Sequence, residues 1–224
     1  LAVRMFHEEA DITVHVLLDC SASMAVPAAA RLVFAKRLAA AVAYIALANL
    51  DRVSVQTFST GLGAALAPTR GKARVFKVFR FLAARTPEAG TYFANAARAF
   101  VARTKRSGPA VVITDGYDPE GIERGVDTLR HHGFDPFVIE LVDPDEAKDD
   151  WAGDLELVDA ETGDVRVVTM TRDTLDGYRS RRAARSAALA RALREKQVRH
   201  LALNIHTPLP DAIMELLRHG GLFA

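Results

Sequence analysis

The chain has 224 residues, of which half are apolar and a quarter are charged, and its formal net charge is +1. This length and composition are sufficient for one α/β domain with a sizeable core. The near-neutral charge gives no general argument for binding nucleic acid or a membrane surface. Cys20 is the only cysteine, so an internal disulfide is excluded, and the composition is consistent with a reducing compartment.

No apolar run in the sequence has the length of a transmembrane helix, and no signal peptide is visible. We therefore expect a cytoplasmic location. Because Leu1 is not an initiator methionine, residues 1–10 are interpreted as the tail of a preceding part of a longer protein. Membrane association through such a part is the alternative. We predict that residues 1–224 form a single domain.

Apolar runs and helical patterns alternate along most of the chain. In chain order, the predicted elements are a strand at Ile12–Leu18, a helix at Pro27–Asn49, strands at Val53–Phe58 and Leu62–Leu66, helices at Lys72–Ala84 and Tyr92–Thr104, a strand at Ala110–Thr114, a helix at Pro119–His131 and a strand at Phe134–Val142. Short apolar strands that alternate with helices indicate βαβ units. They predict the α/β class, with a central, mostly parallel sheet covered by helices.

The last third of the chain has a different pattern. Its predicted elements are a β-hairpin formed by Leu155–Asp159 and Val165–Met170, a long helix at Asp173–Gln197, a strand at His200–Ile205 and a helix at Pro210–His219. The hairpin is expected because the two apolar runs flank the turn sequence ETGD.

Side chains that carry oxygen follow two of the predicted strands. Asp19, Ser21 and Ser23 form D-x-S-x-S directly after the first strand, Asp115 closes a later strand, and Thr91 opens a helix. Two carboxylates and three hydroxyls make an all-oxygen set, which suits a hard divalent cation, Mg²⁺ before Ca²⁺ or Mn²⁺. Ligands of open α/β sheets bind beyond the carboxyl ends of the strands. The two aspartates are therefore placed as a shared metal requires.

This pattern resembles the metal-ion-dependent adhesion site of von Willebrand factor A-type domains. In addition, the segments RMFHEEADITVHVLLDCSASM, ALANLDRVSVQTFS and LELVDAETGDVRVVTM resemble, in this order, a bacterial family called domain of unknown function 58. The resemblance implies a Rossmann-like von Willebrand factor A fold with helices on both faces of the sheet and a β-hairpin elaboration. It also implies that the strands before Asp19 and Asp115 are neighbours.

The resemblance further implies a role for each site residue. Ser21 and Ser23 would ligate the metal directly, and Asp19 and Asp115 would do so directly or through water. Thr91 would join or leave the metal as the site changes state.

The function that the resemblance implies is metal-dependent protein binding, without enzymatic activity. Bound Mg²⁺ would recruit a carboxylate from a partner protein. Relatives often accompany AAA+ ATPases of the MoxR type, so an adaptor role beside such an ATPase is the corresponding hypothesis. One alternative is a metal-dependent hydrolase acting on a phosphate substrate, and another is a scaffold whose site is degenerate.

Local structure offers a simpler explanation of the same residues. Asp, Ser and Thr are common at helix N-caps and in turns, so Thr91, Ser21 and Ser23 are individually explained as caps. Cys20 is expected to point away from Asp19 into the core, because side chains alternate along a strand.

Seven arginines of the long helix and the strand after it raise the possibility of nucleic-acid binding. We favour a solvated helix balanced by the acidic residues of 135–164, with no nucleic-acid partner. On that interpretation, reversing the charges of Arg182 and Arg185 is expected to leave metal affinity unchanged.

Overall fold

The computed structural model describes residues 12–26, 29–88, 90–146 and 151–220. Its strands are β1 (Thr13–Asp19), β2 (Arg52–Phe58), β3 (Leu62–Arg70), β4 (Pro109–Thr114), β5 (Asp135–Val142), β6 (Gly153–Val158), β7 (Val165–Met170) and β8 (Arg199–Asn204). Its α-helices are α1 (Ala30–Ala48), α2 (Val75–Ala83), α3 (Phe93–Arg103), α4 (Glu123–His131), α5 (Arg172–Glu195) and α6 (Leu209–Gly220).

Each predicted element is present, and most bounds agree within a few residues. The helix predicted from Pro119 begins at Glu123 instead, because Asp118–Gly121 form a turn closed by a hydrogen bond from the Gly121 amide to the Asp118 carbonyl. The predicted start of the first helix at Pro27 and the segment 1–10 lie outside the described residues.

Six strands form the central sheet in the order β3-β2-β1-β4-β5-β8. All neighbours are parallel except β3, which pairs antiparallel with β2. The strands β6 and β7 form a separate antiparallel pair. This topology confirms the predicted α/β class and the hairpin elaboration.

Helices cover both faces of this sheet. Alternate residues of β1 serve the two cores: Val16 and Leu18 pack toward the side of α1, α2 and α6, and Leu17 packs toward α3, α4 and α5. All seven residues of β1 are buried, as is typical of a parallel strand covered on both faces. Over the four described segments, no helix combines the length and the apolar content that spanning a bilayer requires.

The order in which successive strands are added to the sheet reverses between β1 and β4. After β1 the chain continues through α1 to β2 on one side, whereas β4 lies on the other side and leads to β5. The predicted neighbours are confirmed, because β1 and β4 pair in register from His15 with Ala110 to Leu18 with Ile113. The carboxyl ends of these two strands form a topological switch point, where α/β folds bind their ligands.

Candidate metal centre

The D-x-S-x-S loop turns sharply after β1. Asp19 is the last residue of β1, and its Oδ1 accepts a hydrogen bond of 2.9 Å from the Ser21 amide. The hydroxyl oxygens of Ser21 and Ser23 are 3.0 Å apart and share a hydrogen bond. Oxygens on adjacent corners of a magnesium octahedron lie about 3.0 Å apart, given metal–oxygen distances of about 2.1 Å. The two hydroxyls therefore have the separation of neighbouring metal ligands.

A second loop, after β4, holds the other side of Asp19. The Thr114 hydroxyl donates to Asp19 Oδ2 at 2.7 Å and accepts from the Gly116 amide at 3.0 Å. Gly116 has φ +74°, a conformation that glycine adopts without strain. The carboxylate of Asp19 is thereby tied to the loop that carries Asp115.

Asp115 is held by a buried arginine. Arg31 Nη1 lies 3.1 Å from Asp115 Oδ2, and the Tyr117 amide donates to Asp115 Oδ1 at 3.0 Å. The guanidinium also donates to the Ser23 carbonyl at 3.1 Å and to Glu146 Oε2 at 2.9 Å. Sequence reasoning missed Arg31, although a single arginine in the otherwise apolar start of α1, ARLVFA, was an available signal.

Both aspartates are buried, with exposed fractions of 0% for Asp19 and 5% for Asp115. Burial, and then the neighbouring Asp115 carboxylate, raise the pKa of Asp19 to about 7, against hydrogen bonds from Thr114 and Ser21. Burial also raises the pKa of Asp115, although Arg31, the Tyr117 amide and the Ser23 hydroxyl oppose the shift.

Asp115 and Asp19 differ in their cationic partners. Within the described part of the chain, no basic side chain forms an ion pair with Asp19. A buried carboxylate without a cation is costly, and a divalent cation would remove that cost. An oxygen-only donor set with one uncompensated buried carboxylate therefore fits a hard metal ion.

Thr91 joins the site through a residue that sequence reasoning did not identify. The buried Thr91 hydroxyl donates to Glu161 Oε1 at 2.9 Å, and Glu161 lies in the turn between β6 and β7. Burial raises the pKa of Glu161, the hydrogen bond from Thr91 lowers it, and the negative charge of Asp115 raises it. Glu161 is thus electrostatically coupled to Asp115 and hydrogen-bonded to Thr91.

The structure contradicts the simpler explanation of these hydroxyls as helix caps. The N-cap positions of α1 and α3 are Ala29 and Tyr92, and neither helix has a side-chain cap hydrogen bond there. Ser21 precedes the 3₁₀ turn Ala22–Ala25 but likewise makes no cap hydrogen bond. The first turn of α3 is capped from another loop, by Asp118 Oδ2, which accepts from the Phe93 amide at 2.7 Å. None of the three predicted hydroxyls serves as an N-cap of these helices.

Two arginines of α5 contact residues around the site, and Arg182 is balanced by an acidic residue of 135–164, as expected. Arg182 Nη2 lies 3.2 Å from Glu146 Oε2. The Arg185 guanidinium lies 4.7 Å from the centre of the Tyr117 ring and donates to the Gly116 carbonyl at 2.6 Å. Through Glu146 and Arg31, Arg182 is connected to Asp115.

Cys20 has the position that strand alternation predicts. Its side chain is 1% exposed and belongs to the core on the α1 side. Burial raises the pKa of the Cys20 thiol to about 12. A thiol that stays protonated in an apolar core has a packing role and is a poor nucleophile.

A histidine and two carboxylates meet at the ends of β5 and β8. His206 Nε2 is 3.1 Å from Asp143 Oδ1 and 3.2 Å from Asp145 Oδ2. Sequence reasoning did not bring these residues together, because 63 positions separate Asp143 from His206. Asp145 and His206 are exposed, and a hydrogen bond between His206 and Asp143 accounts for their proximity.

Comparisons with known proteins identify the fold. The family model described as "Protein of unknown function DUF58" matches residues 1–188. The conserved hypothetical protein BatB from Bacteroides thetaiotaomicron is 18% identical with a TM-score of 0.58, and the match covers 92% of this chain and 97% of that one. An aerotolerance-related membrane protein from Bacteroides fragilis is 20% identical with a TM-score of 0.56, and the match covers 95% and 98%.

At these identities the structural likenesses show the fold alone. Together with the sheet topology, they confirm the predicted von Willebrand factor A-like architecture. No curated protein matches the chain.

Proposed function

Since the chain belongs to the DUF58 family and has a von Willebrand factor A-like fold, we propose that it is a protein-binding module whose affinity depends on a bound metal ion. Asp19, Ser21, Ser23, Thr91 and Asp115 would hold Mg²⁺, with Mn²⁺ or Ca²⁺ as substitutes. One observation carries the proposal: two hydroxyl oxygens 3.0 Å apart lie beside a fully buried aspartate for which the described residues provide no cationic partner.

Each residue has a distinct task in this proposal. Ser21 and Ser23 contribute neutral oxygens, so they leave the cation electron-poor. Asp19 and Asp115 contribute negative charge, and Arg31 offsets part of the charge of Asp115. When bound, the cation supplies an electrophilic position for one further anionic oxygen, which an acidic side chain of a partner provides.

The surroundings of the site support docking of a protein surface. Thr91 is buried, whereas the next residue, Tyr92, is 38% exposed. An exposed tyrosine beside a metal centre offers apolar contact area together with a hydrogen-bonding hydroxyl. We assign Tyr92 to the rim that a partner contacts.

The partner class that we propose is an AAA+ ATPase of the MoxR type, for which this chain would act as an adaptor. The resemblance implies this partner. The test is co-purification of the chain with a purified MoxR-type ATPase, in Mg²⁺ and in EDTA. Binding that requires Mg²⁺ and is lost in the variant Ser21→Ala/Ser23→Ala supports the adaptor role. Binding that is the same in EDTA and in the double variant contradicts it.

Calorimetric titration of Mg²⁺, and then Mn²⁺, into metal-free protein tests the metal site itself. We expect one saturable site in the wild type and a loss of affinity in Ser21→Ala/Ser23→Ala. The matched control is Ser107→Ala/Ser180→Ala, which removes two exposed hydroxyls elsewhere. Absence of binding in the wild type, or equal binding by the two double variants, would contradict the proposed site.

A metal-dependent phosphohydrolase is a second candidate function, favoured by one observation. Glu161 lies beside the site and has a raised pKa, as a general base often does. However, Arg31, Arg182 and Arg185 are all bound to protein carboxylates or carbonyls, so they are not free to hold a phosphate. Metal-dependent release of phosphate from 4-nitrophenyl phosphate, lost in Glu161→Ala, would favour the hydrolase, and its absence favours the binding module.

A further inference from the structure

We infer that Glu161 is an internal carboxylate ligand, which occupies in the unpartnered protein the position that a partner's carboxylate takes at the metal centre. The β6–β7 hairpin then regulates the site, since a partner must displace Glu161 in order to bind. This inference rests on the proposed function.

The position of the Glu161 carboxylate is the first support. It accepts a 2.9 Å hydrogen bond from Thr91, one of the five predicted metal ligands, across 70 positions of sequence. Glu161 is half-buried, whereas the other five residues of the turn 159–164 are exposed. The turn therefore directs one acidic side chain inward, to the place where an acidic ligand is required.

The turn itself is built to hold this residue. Asp159 Oδ1 accepts hydrogen bonds from the amides of Glu161 and Thr162, at 2.8 and 2.9 Å. The Gly163 amide donates to the Asp159 carbonyl at 2.9 Å, and Gly163 has φ +75°. Such a turn fixes the backbone of Glu161 before any ligand binds, which reduces the entropy cost of the contact.

The attachment of the hairpin makes displacement feasible. Among the described strands, β6 and β7 pair with each other and not with the central sheet. Their apolar contact is a small separate cluster of Met170, Leu175, Trp151, Leu155 and Tyr178. A two-stranded hairpin is marginally stable by itself, so it can lift from the site while both main cores remain intact.

Tethering explains why such a ligand would be effective. A carboxylate on the same chain has an effective concentration on the order of millimolar. A weak acidic ligand in solution would compete poorly with Glu161, whereas a partner with further contacts would displace it. The hairpin would therefore exclude adventitious anions and select for an extended protein surface.

The test uses Mn²⁺ as the probe, because the relaxation rate of water protons measures how much water is coordinated to bound Mn²⁺. Glu161→Ala opens one ligand position to water. We expect Mn²⁺ affinity to fall about tenfold or more, by analogy with the loss of other groups that support metal sites. We also expect the relaxation enhancement per bound Mn²⁺ to rise, and acetate to reduce it at lower concentrations than in the wild type.

Two further variants separate ligation from structural effects. Glu156→Ala removes an exposed carboxylate from the same hairpin and should match the wild type. Glu161→Gln keeps the shape of the side chain and an acceptor for Thr91. A purely structural role predicts wild-type behaviour for this variant, whereas an anionic ligand predicts weakened Mn²⁺ binding.

The outcomes distinguish the inference from the function on which it rests. If the wild type binds Mn²⁺ and Glu161→Ala equals it in affinity and relaxation enhancement, the inference that Glu161 is a ligand is wrong. The proposed metal site is then still supported. Equal losses in Glu156→Ala and Glu161→Ala would also overturn the internal ligand, because general hairpin charge would then explain the effect. If the wild type binds no Mn²⁺, the proposed metal site and the inferred role of Glu161 are both contradicted.

Discussion

Arg31 Nη1 lies 3.1 Å from Asp115 Oδ2, and the two side chains are 2% and 0% exposed. The same guanidinium donates to the Ser23 carbonyl and to Glu146. It therefore connects the D-x-S-x-S loop, the loop after β4 and the turn after β5. One buried arginine thus aligns the two loops that carry the predicted ligands and offsets one of their two negative charges.

Replacing Arg31 by methionine is expected to destabilise the metal-free protein. Asp115 and Glu146 would lose a common cation in a buried setting, and removing one partner of a buried ion pair typically costs about 3–5 kcal/mol. Urea denaturation near neutral pH measures the loss. Arg37→Met, at an exposed position of the same helix, should change stability by less than about 0.5 kcal/mol. Similar losses in both variants would show that the buried pair contributes nothing particular.

Asp19 should make the stability of the metal-free protein depend on pH. Its pKa in the folded protein is about 7, well above the ordinary value. Between about pH 4 and pH 7 the folded state therefore holds a proton that the unfolded chain releases, so the contribution of Asp19 to stability falls as pH rises. Relative to the wild type, Asp19→Asn should gain about 2 kcal/mol between pH 5 and pH 8 in urea denaturation without metal.

The control for Asp19→Asn is Asp173→Asn, at an exposed position near the start of α5. Its stability relative to the wild type should be the same at both pH values. Comparison with the wild type cancels the contributions of other titrating groups, including His15, whose pKa burial lowers to about 4. A pH-independent difference for Asp19→Asn would mean that Asp19 remains ionised in the metal-free fold.

Metal affinity should fall in acid, for the same electrostatic reason. A proton and a metal ion compete for the carboxylate of Asp19, since the ligand must be deprotonated before it binds. Below pH 7 we expect the Mn²⁺ affinity to decrease, approaching about tenfold per pH unit if one proton is released. Calorimetry in buffers of different ionisation enthalpy measures the number of protons. Constant affinity from pH 5.5 to pH 8 would contradict competition at this residue.

Arg182 should influence the metal site, contrary to the expectation drawn from the sequence. Glu146 Oε2 binds both Arg182 and Arg31, so removing Arg182 leaves Arg31 more strongly engaged with Glu146 and less with Asp115. The site becomes more negative, and we expect Arg182→Ala to bind Mg²⁺ a few-fold more tightly, at effective dielectric constants of about 20.

The matched control for Arg182→Ala is Arg191→Ala, an exposed arginine of the same helix. Its Mg²⁺ affinity in the same calorimetric titration should equal that of the wild type. If the two variants have the same affinity, the contact of Arg182 with Glu146 does not influence Mg²⁺ binding. High salt should reduce the effect of Arg182→Ala only in part, because this ion pair is mostly shielded from solvent.

The fold depends on local patterns, which is why it could be predicted, and the candidate ligands were chosen from such patterns as well. Val16, Leu17 and Leu18 alternate between the two cores as the period of a strand requires. Ser21 and Ser23 follow Asp19 within one short loop, so their proximity is set by chain geometry alone. The identity of the family came from the same local segments.

Sequence alone thus determined the α/β architecture, the resemblance implied the neighbouring strands, and the five ligands stay a prediction. Only the tertiary structure decided which charges surround them. Thr91 and Glu161 are 70 positions apart, Arg31 and Asp115 are 84 apart, and Arg31 and Glu146 are 115 apart. No periodicity connects such residues, because their contacts arise from the packing of separate elements around the sheet. A glutamate in a turn has an ordinary sequence context, and the apolar neighbours of Arg31 indicate its burial but not its partners, so packing alone decides which groups these two side chains contact.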